Sequence, residues 1–284
     1  MQREQQIKSG ALLEVSFYPI FESGRRMPSR APKEKRSTPE QAAYNYKQSV
    51  KKVVRLVNAN FNNSDIFLHL TFNAGNVPAS EDEARKHIKN YVRKIRRRRA
   101  QELKKVVKVL EAMPKLEALA EERARLAESK KKLSEPLRYI YTIEKTEYKS
   151  GKRAGTANYH FHGFITGGLS RRELEKMWQH GGINADRFQP ETFGHEAAAC
   201  YIMKDPQGRK RFSFSKNLKQ PKRMKPKDGK TSRRAVAKMA TERADDRTYW
   251  ERRYTGYSFV RCESVFNPYN GYYYVNVVMF KKRI

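Results

Sequence analysis

Two histidines separated by one residue could hold a divalent metal ion. His160 and His162 lie in residues 158–165, a strand-like run, and side chains in a strand alternate between faces, so both imidazoles point the same way. Imidazole nitrogens are common ligands for divalent metals. Glu144, at the end of the strand-like residues 139–144, is a candidate third ligand. Glu147 competes with it, although its place in a Lys-rich turn favours a solvated charge.

A tyrosine and a lysine follow at a spacing that suits phosphate chemistry. Tyr201 and Lys204 are three residues apart in a helical pattern around residues 193–204, which places them on one helix face. A tyrosine oxygen can form a covalent intermediate, and a nearby cation favours the negative charge on that oxygen. The plain alternative is a core tyrosine, because the chain has 16 of them. For His160 and His162, the alternative is a pair of buried, hydrogen-bonded rings.

The order of these motifs resembles that of the HUH endonucleases, which share a His-hydrophobic-His pair. The similarity is to the rolling-circle replication initiators of small single-stranded DNA phages and plasmids. Residues 66–72, Ile-Phe-Leu-His-Leu-Thr-Phe, look like a further family motif, a strand with a threonine near its end, here Thr71. Thr71 would support the sheet or the metal region, whereas His69, on the same strand face, is a candidate group supporting the metal ligands that is left outside the assigned site. The resemblance covers residues 65–216.

The resemblance implies a metal-dependent, site-specific DNA endonuclease and strand transferase. A divalent metal, Mg²⁺ or Mn²⁺, held by His160, His162 and Glu144 would polarise a phosphate of a single-stranded DNA origin. Tyr201 would attack, and Lys204 would assist it. The covalent link preserves the energy of the broken bond, so a 3′-hydroxyl can later rejoin the strand. Host replication proteins are further expected partners, and the cytoplasm of a bacterial host is the expected location.

Three other functions remain open from the sequence. A plasmid relaxase would share the chemistry, although relaxases usually carry three histidines in the metal motif and this pair offers two. A single-tyrosine transposase places its tyrosine similarly. A non-catalytic protein with a sheet like that of an RRM would stack bases on strand aromatics, but the basic-aromatic motif of the RRM is absent from the sequence. No GxxxxGK[ST] motif of an attached helicase is present.

The composition points to a polyanionic partner. Lysine and arginine number 61 against 30 acidic residues, a formal charge of +31. An anionic membrane surface is the competing partner, but no apolar run approaches the ~20 residues that span a bilayer, and no membrane is expected. The first residues lack the apolar segment of a secretory signal. Two cysteines favour a reducing compartment over a disulfide framework.

Three basic segments are candidate phosphate contacts. They are a helix with four consecutive arginines, a loop after residues 139–144, and residues 216–234, which we expect to be a loop that becomes ordered on a polyanion. A solvated helix face is the alternative for the arginine run. The candidate DNA-binding residues are Arg96, Arg97, Arg98, Arg99, Lys152, Arg153, Lys219, Lys222 and Arg223.

The pattern of strands and helices predicts an α+β fold with a central antiparallel sheet, like the palm of HUH proteins and RRMs, flanked by helices. A helical hairpin, interrupted by Pro114, is inserted at about residues 80–133. A single helix is expected at residues 234–253, before a C-terminal β-hairpin that turns at Asn270-Gly271. We expect residues 1–64 to form a strand and helix of the same domain as the endonuclease core, residues 65–216, with residues 217–284 following as basic loop, helix and hairpin.

Overall fold

The computed structural model describes residues 1–21, 38–147, 157–188, 194–204 and 210–282. The chain forms two compact units. The terminal unit comprises Met1–Ala59, Glu191–Ala197 and Lys219–Ile284, and the central unit comprises Asn60–Pro190 and Ala198–Leu218. Each unit contains an antiparallel sheet with helices beside it, so the predicted α+β class is confirmed.

The elements are numbered here in chain order. The strands are β1 (Gln2–Ser9), β2 (Leu12–Pro19), β3 (Ile66–Thr71), β4 (Tyr139–Glu147), β5 (Ala157–Ile165), β6 (Ile183–Arg187), β7 (Ser213–Phe214), β8 (Lys222–Arg223), β9 (Lys227–Asp228), β10 (Tyr257–Asn267) and β11 (Tyr272–Lys281). The α-helices are α1 (Pro39–Asn60), α2 (Glu81–Ala112), α3 (Ala120–Ser134), α4 (Arg171–Met177), α5 (Glu196–Tyr201), α6 (Arg233–Thr241) and α7 (Arg247–Arg253). None of these helices is long and apolar enough to cross a lipid bilayer.

The sheet of the central unit has the order β6-β3-β5-β4-β7, with every neighbouring pair antiparallel. One face is apolar and packs on α2, where Tyr91 and Ile95 join a buried cluster with Leu70, Ile143 and Phe161. Because side chains alternate along each strand, the residues between these positions lie on the other face. The hydrophobic layer under α2 therefore fixes which side chains the opposite face presents.

The inserted helical hairpin is confirmed between β3 and β4, and it gives Arg99 a structural role. The Arg99 guanidinium is only 3% exposed and donates to the backbone carbonyl oxygens of Lys132, Leu133, Glu135 and Thr166. Three of these carbonyls lie at or just after the end of α3, where Lys132 also accepts the Glu135 N–H, and the fourth, that of Thr166, follows β5. The prediction that Arg99 contacts DNA is therefore wrong.

Replacement of Arg99 by Met should destabilise the fold, because it leaves several buried carbonyl oxygens without a donor. We expect the free energy of unfolding to fall by about 2–4 kcal/mol. Arg97, exposed two residues earlier on the same helix, is the matched control, and its replacement by Met should change that energy by less than about 0.5 kcal/mol. Urea titrations followed by circular dichroism measure both, and equal midpoints would contradict the structural role of Arg99.

The terminal unit is built on the sheet β10-β11-β2-β1-β8, and β9 also pairs with β1. Helices α6 and α7 cover one face, where Trp250 and Val236 pack against Val15 and Phe17 of β2. Strands β1 and β2 thus share a sheet with β10 and β11. This grouping differs from the predicted domain division, which placed residues 1–64 with the central core.

The basic segment at residues 216–234 is folded in the structure, contrary to the prediction of a loop that orders on a polyanion. Strands β8 and β9 pair with β1, and the Met224 N–H donates to the Gln6 carbonyl. The Gln5 side chain in turn donates to the Met224 carbonyl. The single helix predicted at residues 234–253 is two helices, because Asp246 begins α7 by accepting the Tyr249 N–H.

Candidate functional site

Histidines from two neighbouring strands lie on the sheet face opposite α2. His69 on β3 is directly across from His162 on β5, and His160 lies between Thr71 on β3 and Glu144 on β4. Since all five positions have the parity that points away from the apolar layer, their side chains share one face. The predicted arrangement of His160, His162 and Glu144 on one surface agrees with this register.

The side chains are in close contact. The rings of His69 and His162 stack with centroids 4.3 Å apart and 15° between planes, and Nε2 of His162 is 3.3 Å from a Glu144 carboxylate oxygen. His162 is only 4% exposed, and its Nδ1 is buried without a hydrogen-bond partner among the described residues. A buried ring nitrogen without a partner is costly in a folded protein, and a ligand at this position would relieve the cost.

Burial favours the neutral forms of the His69 and His160 rings. The pKa of His69 is lowered to about 4, mainly by desolvation and in addition by the neighbouring rings of His162 and His160, while Glu144 opposes these effects. Desolvation and His162 also hold the pKa of His160 below its usual value, against the opposing effect of Glu144. Neutral imidazole is the form that binds a metal ion. The cluster is therefore ready to accept a cation at neutral pH without first losing protons from His69 or His160.

The low pKa of His69 predicts a loss of stability in acid. Its pKa is about 6.5 in an unfolded chain and about 4 in the fold, so the unfolded state binds more protons between these values and stability falls as the pH drops through that window. His69 is only half-buried, so solvent screening reduces the expected loss to the order of 1 kcal/mol. Urea midpoints measured without metal from pH 7 to pH 4 should show a shallower decline for His69→Asn. Parallel curves for the parent and the variant would contradict the predicted contribution of His69 to the loss of stability in acid.

The structure brings Tyr201 to the same face. Tyr201 ends α5 and is 52% exposed, and its ring meets that of His162 edge-on with centroids 5.3 Å apart. A second edge contact, 6.2 Å between centroids, joins it to Phe67 of β3. Lys204 is exposed one turn later, and its N–H donates to the Tyr201 carbonyl. The tyrosine thus combines access to solvent with a fixed position beside the histidines.

The donor set fits a divalent cation, although the side chains must rotate to bind one. Within the described ranges, no three His, Cys, Asp or Glu side chains already form a group that could hold a metal. The stacked rings of His69 and His162 present their nitrogens side by side instead of toward one point. Two or three imidazoles with one carboxylate match the mixed ligands that suit Mn²⁺, and carboxylate oxygen suits Mg²⁺.

The register separates the two candidate carboxylates. Glu147 lies three residues after Glu144 on β4, and this odd spacing puts the two side chains on opposite faces of the strand. Glu147 is exposed and binds Lys145 at 2.6 Å. Glu144 is therefore the carboxylate that shares a face with the histidines.

Thr71 supports the end of β3. Its hydroxyl donates to the Gly182 carbonyl, and its N–H donates to the same oxygen. The contact requires glycine at the two adjoining positions, because a Cβ on Gly181 would lie 2.4 Å from the Thr71 carbonyl oxygen and one on Gly182 would lie 2.8 Å from its hydroxyl. Thr71 thus holds the strand beside His160.

The predicted DNA-binding residues that the structure describes in the central unit do not lie on this face. Arg96 and Arg97 are exposed on α2, which covers the other face of the sheet, and Arg98 from the same run pairs with Glu102 and Glu173. Three more are exposed in the terminal unit, and two lie outside the described residues. The exposed ones are Lys219, Lys222 and Arg223, and the other two are Lys152 and Arg153.

His69 is the site residue that the sequence motifs left without a role. Its stacking on His162 depends on the pairing of β3 with β5, two strands separated by 85 residues of chain from Thr71 to Ala157. One local feature of the sequence could have indicated that His69 belongs to the site: His69 and Thr71 are two residues apart on one strand and must share a strand face.

No protein-family model matches the chain, and neither a curated protein nor a solved structure matches it.

Proposed function

We propose that this protein nicks single-stranded DNA at an origin and rejoins the strand through a phosphotyrosine intermediate, as a rolling-circle replication initiator does. The observation that carries the proposal is the half-exposed Tyr201 held against His162, on the sheet face that also bears His69, His160 and Glu144. A nucleophile and a group of metal-binding side chains on one accessible surface are what cleavage of a phosphodiester requires.

Each residue has a defined task in the proposal. His160, His162 and Glu144 would hold Mg²⁺ or Mn²⁺, which withdraws charge from the phosphate when bound. The Tyr201 oxygen attacks phosphorus and loses its proton, while the bond to the 3′ oxygen of the preceding nucleotide breaks and that oxygen gains a proton. Lys204, one turn away, stabilises the negative charge at the reacting oxygens. His69 stacks on His162 and fixes the orientation of its ring.

The products explain how such a protein would start replication. The cut strand carries the protein on its 5′ end and offers a free 3′-hydroxyl as a primer. Since the number of phosphoester bonds is conserved, attack by a 3′-hydroxyl on the phosphotyrosine restores the strand and frees Tyr201. The proposal includes host replication proteins as partners and the cytoplasm of a bacterial host as the setting.

A covalent adduct is the direct test. The protein is incubated with circular single-stranded phage DNA and with a random-sequence oligonucleotide pool, each with Mn²⁺ or with EDTA. We expect a protein–DNA band on a denaturing gel only with metal, and sequencing of the captured 5′ ends should yield one preferred site. Cut DNA without any attached protein would indicate hydrolysis and contradict the proposal.

A relaxase is the second candidate, and a specific observation favours it. His69 brings a third histidine to the pair, the number usual in relaxases. The two functions share the chemistry and differ in substrate, because a relaxase acts on a supercoiled plasmid at its transfer origin. Relaxation of a supercoiled plasmid library, with no adduct on phage DNA, would favour the relaxase.

A further inference from the structure

The turn of the C-terminal hairpin exposes an unusual amount of aromatic surface. Tyr269 is 98% exposed and Phe266 is 49% exposed, and both lie beside the Asn270-Gly271 turn that joins β10 to β11. Phe21 is also exposed and packs edge-on against Tyr272 with ring centroids 5.6 Å apart. We call these four residues the aromatic tip. The Phe266 ring contacts that of Tyr273, so it lies on the opposite face of the hairpin from Tyr272. Exposed apolar surface on both faces of one turn marks a site of interaction.

Cations surround the aromatic tip. The Arg233 guanidinium lies over the Tyr272 ring, 4.4 Å from its centroid, and donates to the Gly271 carbonyl at 2.6 Å. Arg234 and Lys230 are exposed in the same segment, at the beginning of α6. No acidic residue occurs in residues 229–241 or in residues 264–284. Residues 229–241 and 264–284 therefore carry positive charge without a carboxylate, and Glu22, next to Phe21, is the acidic residue nearest the aromatic tip in sequence.

The turn fixes the backbone that carries the exposed ring. The Tyr269 N–H donates to the Asn267 side chain, and the Gly271 N–H donates to the Asn267 carbonyl. The Asn270 side chain accepts the Tyr272 N–H and donates to the Tyr274 hydroxyl. Gly271 has φ of 67°, a conformation that glycine adopts without strain. Because the backbone of the turn is already ordered, binding at Tyr269 costs only the rotamer freedom of the side chain, which favours a recognition role.

We infer that the aromatic tip is a binding site for unpaired DNA, separate from the face that bears Tyr201. Bases would stack on Tyr269 and Phe266, and phosphates would lie near Arg234 and Lys230. Aromatic rings interleaved with cations are the features with which proteins bind single strands without sequence preference. A duplex offers phosphates but hides the faces of its bases, so it can use only the cations. The site requires no cleavage and stands independently of the proposed function.

Binding of labelled oligothymidylate of 20 nucleotides tests the site. The assay contains EDTA, so that no metal-dependent cleavage takes place and a failure of the proposed function leaves the result unaffected. We expect Tyr269→Leu and Phe266→Leu each to raise the dissociation constant roughly fivefold to a hundredfold, and Tyr269→Phe, which keeps the ring, to leave it unchanged. Tyr44→Leu is the control, since Tyr44 lies on α1 in the same unit and its exposure, 59%, falls between those of Phe266 and Tyr269.

Two further probes separate stacking from charge and from simple apolar contact. An abasic strand of the same length and a 20-base-pair duplex should bind parent and Tyr269→Leu equally, because neither presents unpaired bases. Arg234→Gln should weaken binding of all three probes and reduce its dependence on salt. Unchanged oligothymidylate binding by Tyr269→Leu would overturn the inference, and so would an equal loss on the abasic strand.

Discussion

Tyr201→Phe should form no covalent adduct with DNA, while its affinity for the same strand stays within about threefold of the parent. The substitution removes one oxygen and keeps the ring, so the edge contacts with His162 and Phe67 remain. The fold should not change, because the ring is half-exposed and its hydroxyl is not needed for packing. Denaturing gels with Mn²⁺ measure the adduct, and fluorescence anisotropy in EDTA measures the binding.

Two other tyrosines serve as controls for this variant. Tyr159→Phe removes a buried hydroxyl next to His160, and Tyr44→Phe removes an exposed one from α1. Both variants should form the adduct at the rate of the parent. An adduct formed by Tyr201→Phe would show that another residue attacks, and mass spectrometry of the DNA-linked peptide would identify it. An adduct lost in all three variants would point to a general effect on folding.

The elements of the site could be predicted because their signals are local. Alternation within β5 puts His160 and His162 on one face whatever the strand pairs with. The capping box formed by Ser170 and Glu173 likewise begins α4 from contacts three residues apart. The α+β class follows from such local patterns, which is why the sequence predicts it correctly.

The positions of buried polar residues could not be predicted from local sequence patterns. Strand β1 reads Gln-Arg-Glu-Gln-Gln-Ile-Lys-Ser and lacks the apolar alternation of a strand, yet Glu4 is buried in it. Glu4 accepts hydrogen bonds from Tyr254 and Arg253, about 250 residues away, and no local pattern contains those partners. The grouping of the N-terminal segment with the C-terminal hairpin depends on the same distant pairing.

The burial of Arg99 was indicated by its helical spacing, but the run of four arginines favoured an exposed position. It follows Val92 and Ile95 at the helical spacing of a buried face, and both of those residues are buried against the sheet. The four consecutive arginines suggested a charged surface, because arginine is seldom buried without partners. Its partners are carbonyls at the end of α3 and after β5, and only the folded hairpin brings them there.

Loss of the proposed metal ligands should produce the second large effect. His160→Ala and His162→Ala should each reduce metal-dependent adduct formation at limiting Mn²⁺ by about a hundredfold or more, because each removes a ligand at which charge on the phosphate is neutralised. Glu144→Gln should reduce it about 10–100-fold, since a neutral oxygen remains at the position. Initial rates of adduct formation over a range of Mn²⁺ concentrations measure all three.

The chain offers a matched control for the carboxylate and a question about the third histidine. Glu147→Gln changes the same chemical group on the opposite face of β4 and should leave the dependence on Mn²⁺ unchanged.

His69→Phe keeps a ring to stack on His162 but removes the nitrogens. If His69 only orients His162, His69→Phe should retain most of the rate and the affinity for Mn²⁺, whereas a shift to higher Mn²⁺ would make His69 a ligand.

The histidine variants need a test of folding, because His162 is buried and stacks on His69. His162→Gln retains a polar side chain of similar length, and its urea midpoint and near-ultraviolet circular dichroism should match those of the parent if the central unit still folds. Isothermal titration of parent and variants with Mn²⁺ then decides the matter, because ligand loss lowers the affinity for the metal even where no DNA is present. Normal Mn²⁺ affinity in His160→Ala and His162→Ala would contradict the ligand assignment, and the histidines would then be buried rings that support the sheet.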